Sequence, residues 1–99
     1  MNPRIVRTIE DAKALIGQEI GVTDWVLVDQ QRIDRFAAAT DDHQWIHVDT
    51  ARARSEMPGG QTIAHGYLVL SLLPALMDKL VTMPTLQRAI NYGLNKVRF

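Results

Sequence analysis

The sequence predicts a small α+β domain in which one long apolar helix is enclosed by a sheet. From His65 to about Val81, the chain is apolar on nearly every face of a helix, so no side of that helix suits water. Asp24–Asp29 is aromatic and β-branched, and Arg88–Phe99 alternates in the way that strands do. A chain of 99 residues forms at most one domain, so we expect residues 1–99 to belong together.

Local signals predict the remaining elements in order along the chain. Acidic residues before Ala12–Ile16 and a glycine directly after it indicate a short helix. Apolar residues at helical spacing from Gln30 predict a second helix that ends near Thr40. Trp45–Val48 is expected to be extended or irregular, and Thr50 to cap a further short helix.

Two proline-containing segments interrupt these elements. Pro58-Gly59-Gly60 is a cluster of helix and strand breakers and predicts a loop. Pro74 lies inside the predicted long helix, where it removes a backbone hydrogen bond and should bend the helix. Only two clear strands are available to enclose that helix. We therefore expect a chain that is truncated within its sheet, or one that completes the sheet with a second copy.

Composition excludes several classes of protein. Eleven basic and eleven acidic side chains cancel, so charge indicates neither a nucleic acid nor an anionic membrane as partner. The lack of cysteine excludes a disulfide framework, a thiolate nucleophile and a Cys-based zinc site. The N-terminus is charged and has no long apolar run, so it does not resemble a secretory signal. The longest apolar stretch, Tyr67–Met77, is about half of the ~20 residues that cross a bilayer. We expect a cytoplasmic protein without a membrane partner.

Asp42 and His47 are the first candidates for chemistry. They lie five residues apart, just beyond the predicted end of a helix, where a scaffold can present polar side chains to a cavity. At this spacing a carboxylate and an imidazole can converge on one water molecule, as a hydration requires. The alternative is structural, because an aspartate at a helix end is usually a cap and a single histidine is usually a core or surface residue.

Gly66 is the second candidate, at the start of the predicted long helix. The first backbone N–H groups of a helix lack internal partners and carry the positive end of its dipole. A glycine there lets a ligand approach the backbone, so that the amide can polarise a thioester carbonyl. Tight packing, or a turn that needs glycine, explains the same residue equally well.

A metal site is a rival use of the same region. His43 and His47 lie four residues apart, and further possible ligands are Asp42, Asp49 and His65. The spacing suits zinc only if His43–His47 is helical, whereas we expect an extended path there. We therefore predict no metal.

Three segments together resemble the MaoC-like dehydratases, a family that includes the R-specific enoyl-CoA hydratases. They are Phe36–Thr40, Asp42–Asp49 and Ile63–Gly66. The run Gln44-Trp45-Ile46-His47, with Ser71-Leu72-Leu73-Pro74 later in the chain, is most similar to the nodulation protein N-like branch. The combination of Asp-x-x-x-x-His with a following Ala-His-Gly is specific, and the similarity covers nearly the whole chain.

The resemblance implies a hot-dog fold, in which a curved antiparallel sheet wraps a long central helix. It also implies a homodimer with the acyl chain in a tunnel near the subunit interface. By similarity, Asp42 and His47 activate the water and the amide of Gly66 binds the thioester oxygen. The residues placed beside the substrate are Gln44, Trp45, His65 and Tyr67. No cofactor is needed, because the thioester itself acidifies the carbon next to its carbonyl.

The chain departs from the family pattern at several places. Asp41 stands where glycine is common, but aspartate tolerates a left-handed backbone, so we expect the turn to persist. Pro58-Gly59-Gly60 stands where Pro-Phe-Gly is usual and loses an aromatic wall, and Pro74 stands where some relatives have serine. The family continues for several further strands, so we expect a C-terminally truncated hot-dog domain whose activity depends on how the sheet is completed.

We therefore predict a hydro-lyase of fatty acid metabolism that adds water to a 2-enoyl-CoA or removes it from a 3-hydroxyacyl-CoA. Two alternatives remain open. An incomplete chain would be a catalytically inactive fragment that associates through its exposed central helix, or an interaction module that pairs through an open strand edge. A thioesterase also uses the hot-dog scaffold, and there the carboxylate or its water would attack the carbonyl carbon.

Overall fold

The computed structural model describes residues 2–99 as a mixture of helices and a small sheet. The helices are α1 (Ile9–Lys13), α2 (Gln30–Thr40), α3 (Trp45–Val48), α4 (Thr50–Glu56), α5 (Gly66–Ser71) and α6 (Leu73–Leu80), with a 3₁₀ turn at Pro58–Gly60 and strands β1 (Arg4–Ile5) and β2 (Val81–Thr82). Within this described range, no helix is both long and apolar enough to cross a membrane. The chain forms two compact units: Trp25–Leu72, and the residues up to Asp24 together with Leu73–Phe99.

A reciprocal cap begins α1 and confirms a short helix with acidic residues in its first turn, but the helix ends at Lys13, three residues before the predicted end at Ile16. The Thr8 hydroxyl accepts a hydrogen bond from the backbone N–H of Asp11 at 3.1 Å. The Asp11 carboxylate accepts in return from the N–H groups of Arg7 at 2.9 Å and Thr8 at 3.1 Å. This capping box satisfies backbone donors that have no partner inside a helix. The helix ends at Lys13, and the chain then turns to Gly17, which has a left-handed φ of 80°.

The cap makes the stability of α1 dependent on pH. Backbone N–H groups of Arg7 and Thr8 donate to the ionised carboxylate and lower the pKa of Asp11 below 3.8. Because the folded pKa is depressed, the stabilising contribution is present above the unfolded pKa and is lost as the pH falls through the folded value. We expect an NMR titration of the Asp11 carboxyl carbon to give a midpoint below 3.8. A midpoint at or above that value would rule out the cap, and Asp11→Asn should remove the pH dependence of the α1 amide signals.

The second helix has the predicted bounds and ends in an unusual backbone conformation. The Asp29 side chain caps its first turn by accepting from the N–H of Arg32 at 2.9 Å. After Thr40 the chain turns at Asp41, which has φ 61° and ψ 19°. Only a few per cent of non-glycine residues adopt this left-handed region, and aspartate is enriched among them. The expectation that the turn persists without glycine is confirmed.

Replacing Asp41 should reveal this backbone constraint. We expect Asp41→Gly to keep or raise the free energy of unfolding, because glycine adopts positive φ without a steric penalty. Asp41→Val should lower the free energy of unfolding by about 1–2 kcal/mol, because a β-branched residue is strained there. Urea unfolding followed by circular dichroism measures both variants. Equal midpoints for the glycine and valine variants would show that the turn does not constrain this residue.

The prediction of strands at Asp24–Asp29 and Arg88–Phe99 is wrong. Neither Asp24–Asp29 nor Arg88–Phe99 is paired with another strand in the described part of the chain. Their aromatic residues Trp25 and Tyr92 are fully exposed to solvent, so no neighbouring backbone covers them. The pattern fits a strand, but a strand also needs a partner that supplies its backbone hydrogen bonds. Residues 2–99 instead form one two-stranded parallel sheet from β1 and β2.

The prediction of one continuous helix from His65 to Val81 is also wrong, although the interruption lies next to Pro74, where a bend is expected. The structure divides it at Leu72 into α5 and α6, and the N–H of Leu72 bonds the carbonyl of Val69 at 3.2 Å. Pro74 explains the division, because it has no N–H and its ring clashes with the carbonyl four residues earlier. The predicted enclosure is absent from residues 2–99 as well, since every residue of α6 is exposed or half-buried and the sheet is small.

The Trp25–Leu72 unit has a core of helices around two imidazoles. In it α2 packs against α3, α3 against α4, and α4 against the 3₁₀ turn. Ala37 of α2 and Ala53 of α4 are completely buried, which indicates a close approach of backbones. The other buried side chains of this unit are Ile33, His47, His65 and Leu68.

Candidate active site

The segment Trp45–Val48 forms the short helix α3, so the predicted extended path is wrong. Hydrogen bonds from the N–H of His47 to the carbonyl of Gln44 and from the N–H of Asp49 to that of Trp45, both 3.0 Å, close this turn. A one-turn helix is too short for its hydrophobic period to be recognised in a sequence. The turn gives His47 a buried position, while Gln44 before it and Asp49 after it remain exposed.

One hydrogen bond fixes the tautomer of His47. Its Nδ1 lies 2.6 Å from the main-chain oxygen of Ile63. A carbonyl oxygen only accepts hydrogen bonds, so Nδ1 carries the hydrogen of a neutral ring and Nε2 carries the lone pair. The N–H of Ile63 in turn donates to the carbonyl of Ile46 at 3.0 Å. Nε2 is therefore the atom of His47 that can accept a proton or hold a water molecule.

His65 also connects the segment Ile63–Gly66 to the segment Asp42–Asp49, but here the ring belongs to the later segment. Its Nε2 lies 3.0 Å from the main-chain oxygen of Asp42, so Nε2 is the donor and Nδ1 carries the lone pair. The side chain is 2% exposed, and its Nδ1 has no hydrogen-bond partner among residues 2–99. The ring stacks on that of His47, with centroids 3.8 Å apart and planes inclined by 23°. Phe36 of α2 lies against it at 4.8 Å.

Asp42, His47 and His65 therefore form one cluster. One polar side-chain atom from each lies within 4.8 Å of the other two. The imidazoles are buried and the carboxylate is exposed, with an oxygen that accepts from the N–H of Gln44 at 3.4 Å. A carboxylate beside an imidazole whose acceptor atom is defined can bind a water molecule and take up one of its protons.

The cluster has metal-ligating residue types, but its geometry suits a metal ion poorly. A histidine nitrogen binds a metal along its lone pair, in the plane of the ring, at 2.0–2.1 Å. Planes inclined by only 23° meet far from both rings. One ion could not lie in both planes without breaking the stack of His47 and His65. Of the other candidates, His43 is exposed outside α3, and Asp49 caps α4 through the N–H of Arg52 at 3.0 Å.

The remaining predicted site residues lie outside this cluster. Gly66 is the half-buried first residue of α5, so its N–H has no acceptor inside the helix. Trp45 is half-buried beneath the guanidinium of Arg52, which lies 3.9 Å from the ring centroid and also pairs with Glu56 at 2.6 Å. Tyr67 is 69% exposed. Of the four predicted substrate-binding residues, the structure places the side chain of His65 against Asp42 and His47, and Gln44 contacts both through its backbone.

Sequence reasoning missed Gln30, the first residue of α2. Its amide nitrogen donates to the main-chain oxygen of His47 at 2.8 Å and to the carboxylate of Asp34 at 2.9 Å. Its amide oxygen accepts from the hydroxyl of Thr62 at 2.5 Å. Gln30 therefore connects α2 to both segments that carry the histidines. Its partners at 47 and 62 are remote in sequence, so no local spacing could have revealed the contacts.

Comparison with known proteins shows the family of this chain. The family model described as "MaoC like domain" matches residues 11–99, so the chain belongs to the MaoC-like family. The chain is 49% identical over 96 residues to 3-hydroxyacyl-thioester dehydratase Z of Mycobacterium tuberculosis, covering 97% of this chain and 63% of that protein. It is 50% identical over 95 residues to nodulation protein N of Rhizobium leguminosarum bv. viciae, covering 93% of this chain and 58% of that protein. The chain thus spans about three fifths of the length of these curated relatives.

The contacts of Gln30 can be tested against its neighbour. We expect Gln30→Ala to lower the free energy of unfolding by about 1–3 kcal/mol, because partly buried groups of His47 and Thr62 lose their partner. The matched change Gln31→Ala, at an exposed position of the same helix turn, should stay within about 0.5 kcal/mol of the parent. Urea unfolding of both variants measures the difference. Equal losses would show that Gln30 does not connect these segments.

Proposed function

We propose that this chain carries the water-handling site of a hydratase or dehydratase acting on 2-enoyl and 3-hydroxyacyl thioesters. The observation that supports it most strongly is the convergence of Asp42 with His47, whose Nε2 is the free acceptor. Membership of the MaoC-like family agrees with this chemistry, as does the name of the 3-hydroxyacyl-thioester dehydratase. The residue roles and the substrate class are our proposal for this chain.

In the hydration direction, His47 and Asp42 bind the same water molecule. Nε2 of His47 accepts one O–H, and the carboxylate of Asp42 removes the proton of the other as the oxygen attacks C3 of the enoyl group. The electron pair of the C2–C3 double bond moves toward the thioester oxygen. The N–H of Gly66 donates to that oxygen, and C2 then takes up the proton. Dehydration follows the same steps in reverse.

The expected contributions are large enough to matter for turnover. General acid–base catalysis by positioned side chains accelerates reactions by about 10²–10⁴-fold, which corresponds to ~3–5 kcal/mol. A preorganised amide facing a developing oxyanion contributes about 3–4 kcal/mol. These steps need no metal ion, because the N–H of Gly66 stabilises the charge that develops on the thioester oxygen.

We further propose that residues 1–99 belong to a single hot-dog domain that works as a homodimer. Family membership supports the fold, and the exposed rings of Trp25 and Tyr92 leave apolar surface that further strands or a second copy would cover. Gln44, Trp45 and Tyr67 remain candidates for the wall of the acyl site. A reducing cytoplasm suits a chain without cysteine.

Asp42→Asn tests the proposed base. We expect turnover of crotonyl-CoA to fall at least about a hundredfold, because an amide cannot accept the proton of water. Asp41→Asn is the matched control, since it makes the same change one residue away and asparagine also tolerates positive φ. Loss of the enoyl absorbance follows the reaction. The assignment is wrong if Asp42→Asn hydrates at the parental rate.

The same assay separates hydration from thioester cleavage. If the parent chain releases free coenzyme A while the enoyl absorbance persists, the chain is a thioesterase. If it does neither, this chain does not carry the proposed activity.

A further inference from the structure

We infer that His65 is a positioning residue. It fixes the backbone of Asp42, and thereby its carboxylate, relative to the ring of His47, and it does not bind substrate itself. The inference rests on the proposed function for its catalytic consequence, but its geometry is independent of it. The side chain is 2% exposed, and its only hydrogen on nitrogen is used by the Asp42 carbonyl. A ring so placed acts on the reaction through its two neighbours.

Asp42 depends on this hydrogen bond because its other restraints are weak. It follows Asp41, whose left-handed conformation turns the chain out of α2. The N–H of Asp42 lies 3.4 Å from the hydroxyl of Thr40, and its carboxylate lies 3.4 Å from the N–H of Gln44. Both distances exceed the usual 2.7–3.2 Å. The bond from His65 to the Asp42 carbonyl, at 3.0 Å, is the shorter and better buried restraint.

His47 depends on the ring of His65 in a different way. Its bond to Ile63 restrains one atom of the imidazole, and small rotations about the Cα–Cβ and Cβ–Cγ bonds remain possible. The stack, at 3.8 Å and 23°, blocks these rotations by filling the space beside the ring. The plane of the His65 ring therefore sets the direction in which Nε2 of His47 points.

The two interactions can be removed separately. His65→Gln keeps an N–H donor at about the position of Nε2 but removes the ring. His65→Phe keeps a ring of similar size but removes the donor. A residue that served only the stability of the core would affect folding in both variants without distinguishing Asp42 from His47.

Carbon-13 and nitrogen-15 NMR of the whole chain provide the test that does not require activity. We expect the parent to show His65 protonated at Nε2 and His47 protonated at Nδ1. The carbonyl carbon signal of Asp42 should move in His65→Phe, which has lost its hydrogen bond, and stay near the parental value in His65→Gln. The opposite tautomer for His65 would overturn the inference. So would an Asp42 carbonyl signal that stays at the parental position in both His65→Phe and His65→Gln.

Kinetics with crotonyl-CoA test the catalytic consequence. A displacement of about 1 Å at a reacting group can cost 10²-fold, so we expect His65→Phe to lower kcat about 10- to 100-fold with KM within about twofold. His65→Gln should lose less. In an Asp42→Asn background, His65→Phe should cause little further loss, since the group that it positions is gone.

These results distinguish the two proposals. An equal loss from His65→Phe in the parental and Asp42→Asn backgrounds would show that His65 does not act through Asp42. A parent chain without hydratase activity but with the expected NMR signals would overturn the proposed function and leave the positioning role standing. If His65→Phe fails to fold, the tautomers of the parent still decide, because His65 protonated at Nδ1 instead of Nε2 could not donate to the Asp42 carbonyl and would overturn the inference.

Discussion

The candidate site depends on a reciprocal pair of hydrogen bonds between imidazoles and backbone carbonyls. His47 donates to the carbonyl of Ile63, and His65 donates to the carbonyl of Asp42. Each of the two segments thus supplies one donor ring and one acceptor. Because the rings also stack, neither segment can shift along the other without breaking both bonds. This arrangement explains how a loop, a one-turn helix and a helix start hold a defined geometry within the Trp25–Leu72 unit.

The arrangement buries polar groups at positions where apolar groups would give a more stable core. A buried imidazole must satisfy its N–H, and each ring here does so on a carbonyl that would otherwise need another partner. The lone pair of His65 Nδ1 stays without a partner among residues 2–99, which costs stability that an apolar ring would not. Natural sequences depart from the most stable choice chiefly at functional sites. The unsatisfied polar atom of His65 is therefore an observation that supports the proposed site without reference to any relative.

Sequence reasoning found what is local and failed where partners are remote. The bounds of α2, the presence of α1 and the turn at Asp41 follow from helical spacing, acidic residues in a first helical turn and the tolerance of aspartate for positive φ. The segment Asp24–Asp29 has a strand pattern, but pairing needs another segment, and a pattern cannot supply one. Gln30 and the His65–Asp42 bond span many residues, so they become visible only in three dimensions. The five-residue spacing of Asp42 and His47 indicated their convergence, but for a different path, since α3 is helical.

The contrast in exposure within the cluster indicates how such a site would work. His47 and His65 are buried, whereas Asp42 lies at the surface of its unit, so water reaches the carboxylate directly. A general base for hydration needs that access, yet the N–H of Gly66 polarises a thioester oxygen far more strongly once water is excluded. Both requirements are met if the substrate itself closes the site: an acyl thioester laid across Asp42 and the start of α5 would trap one water molecule against His47 and displace the rest. In the proposed mechanism the protein would fix the acceptor atoms, and the bound thioester would exclude water from the site in which they act.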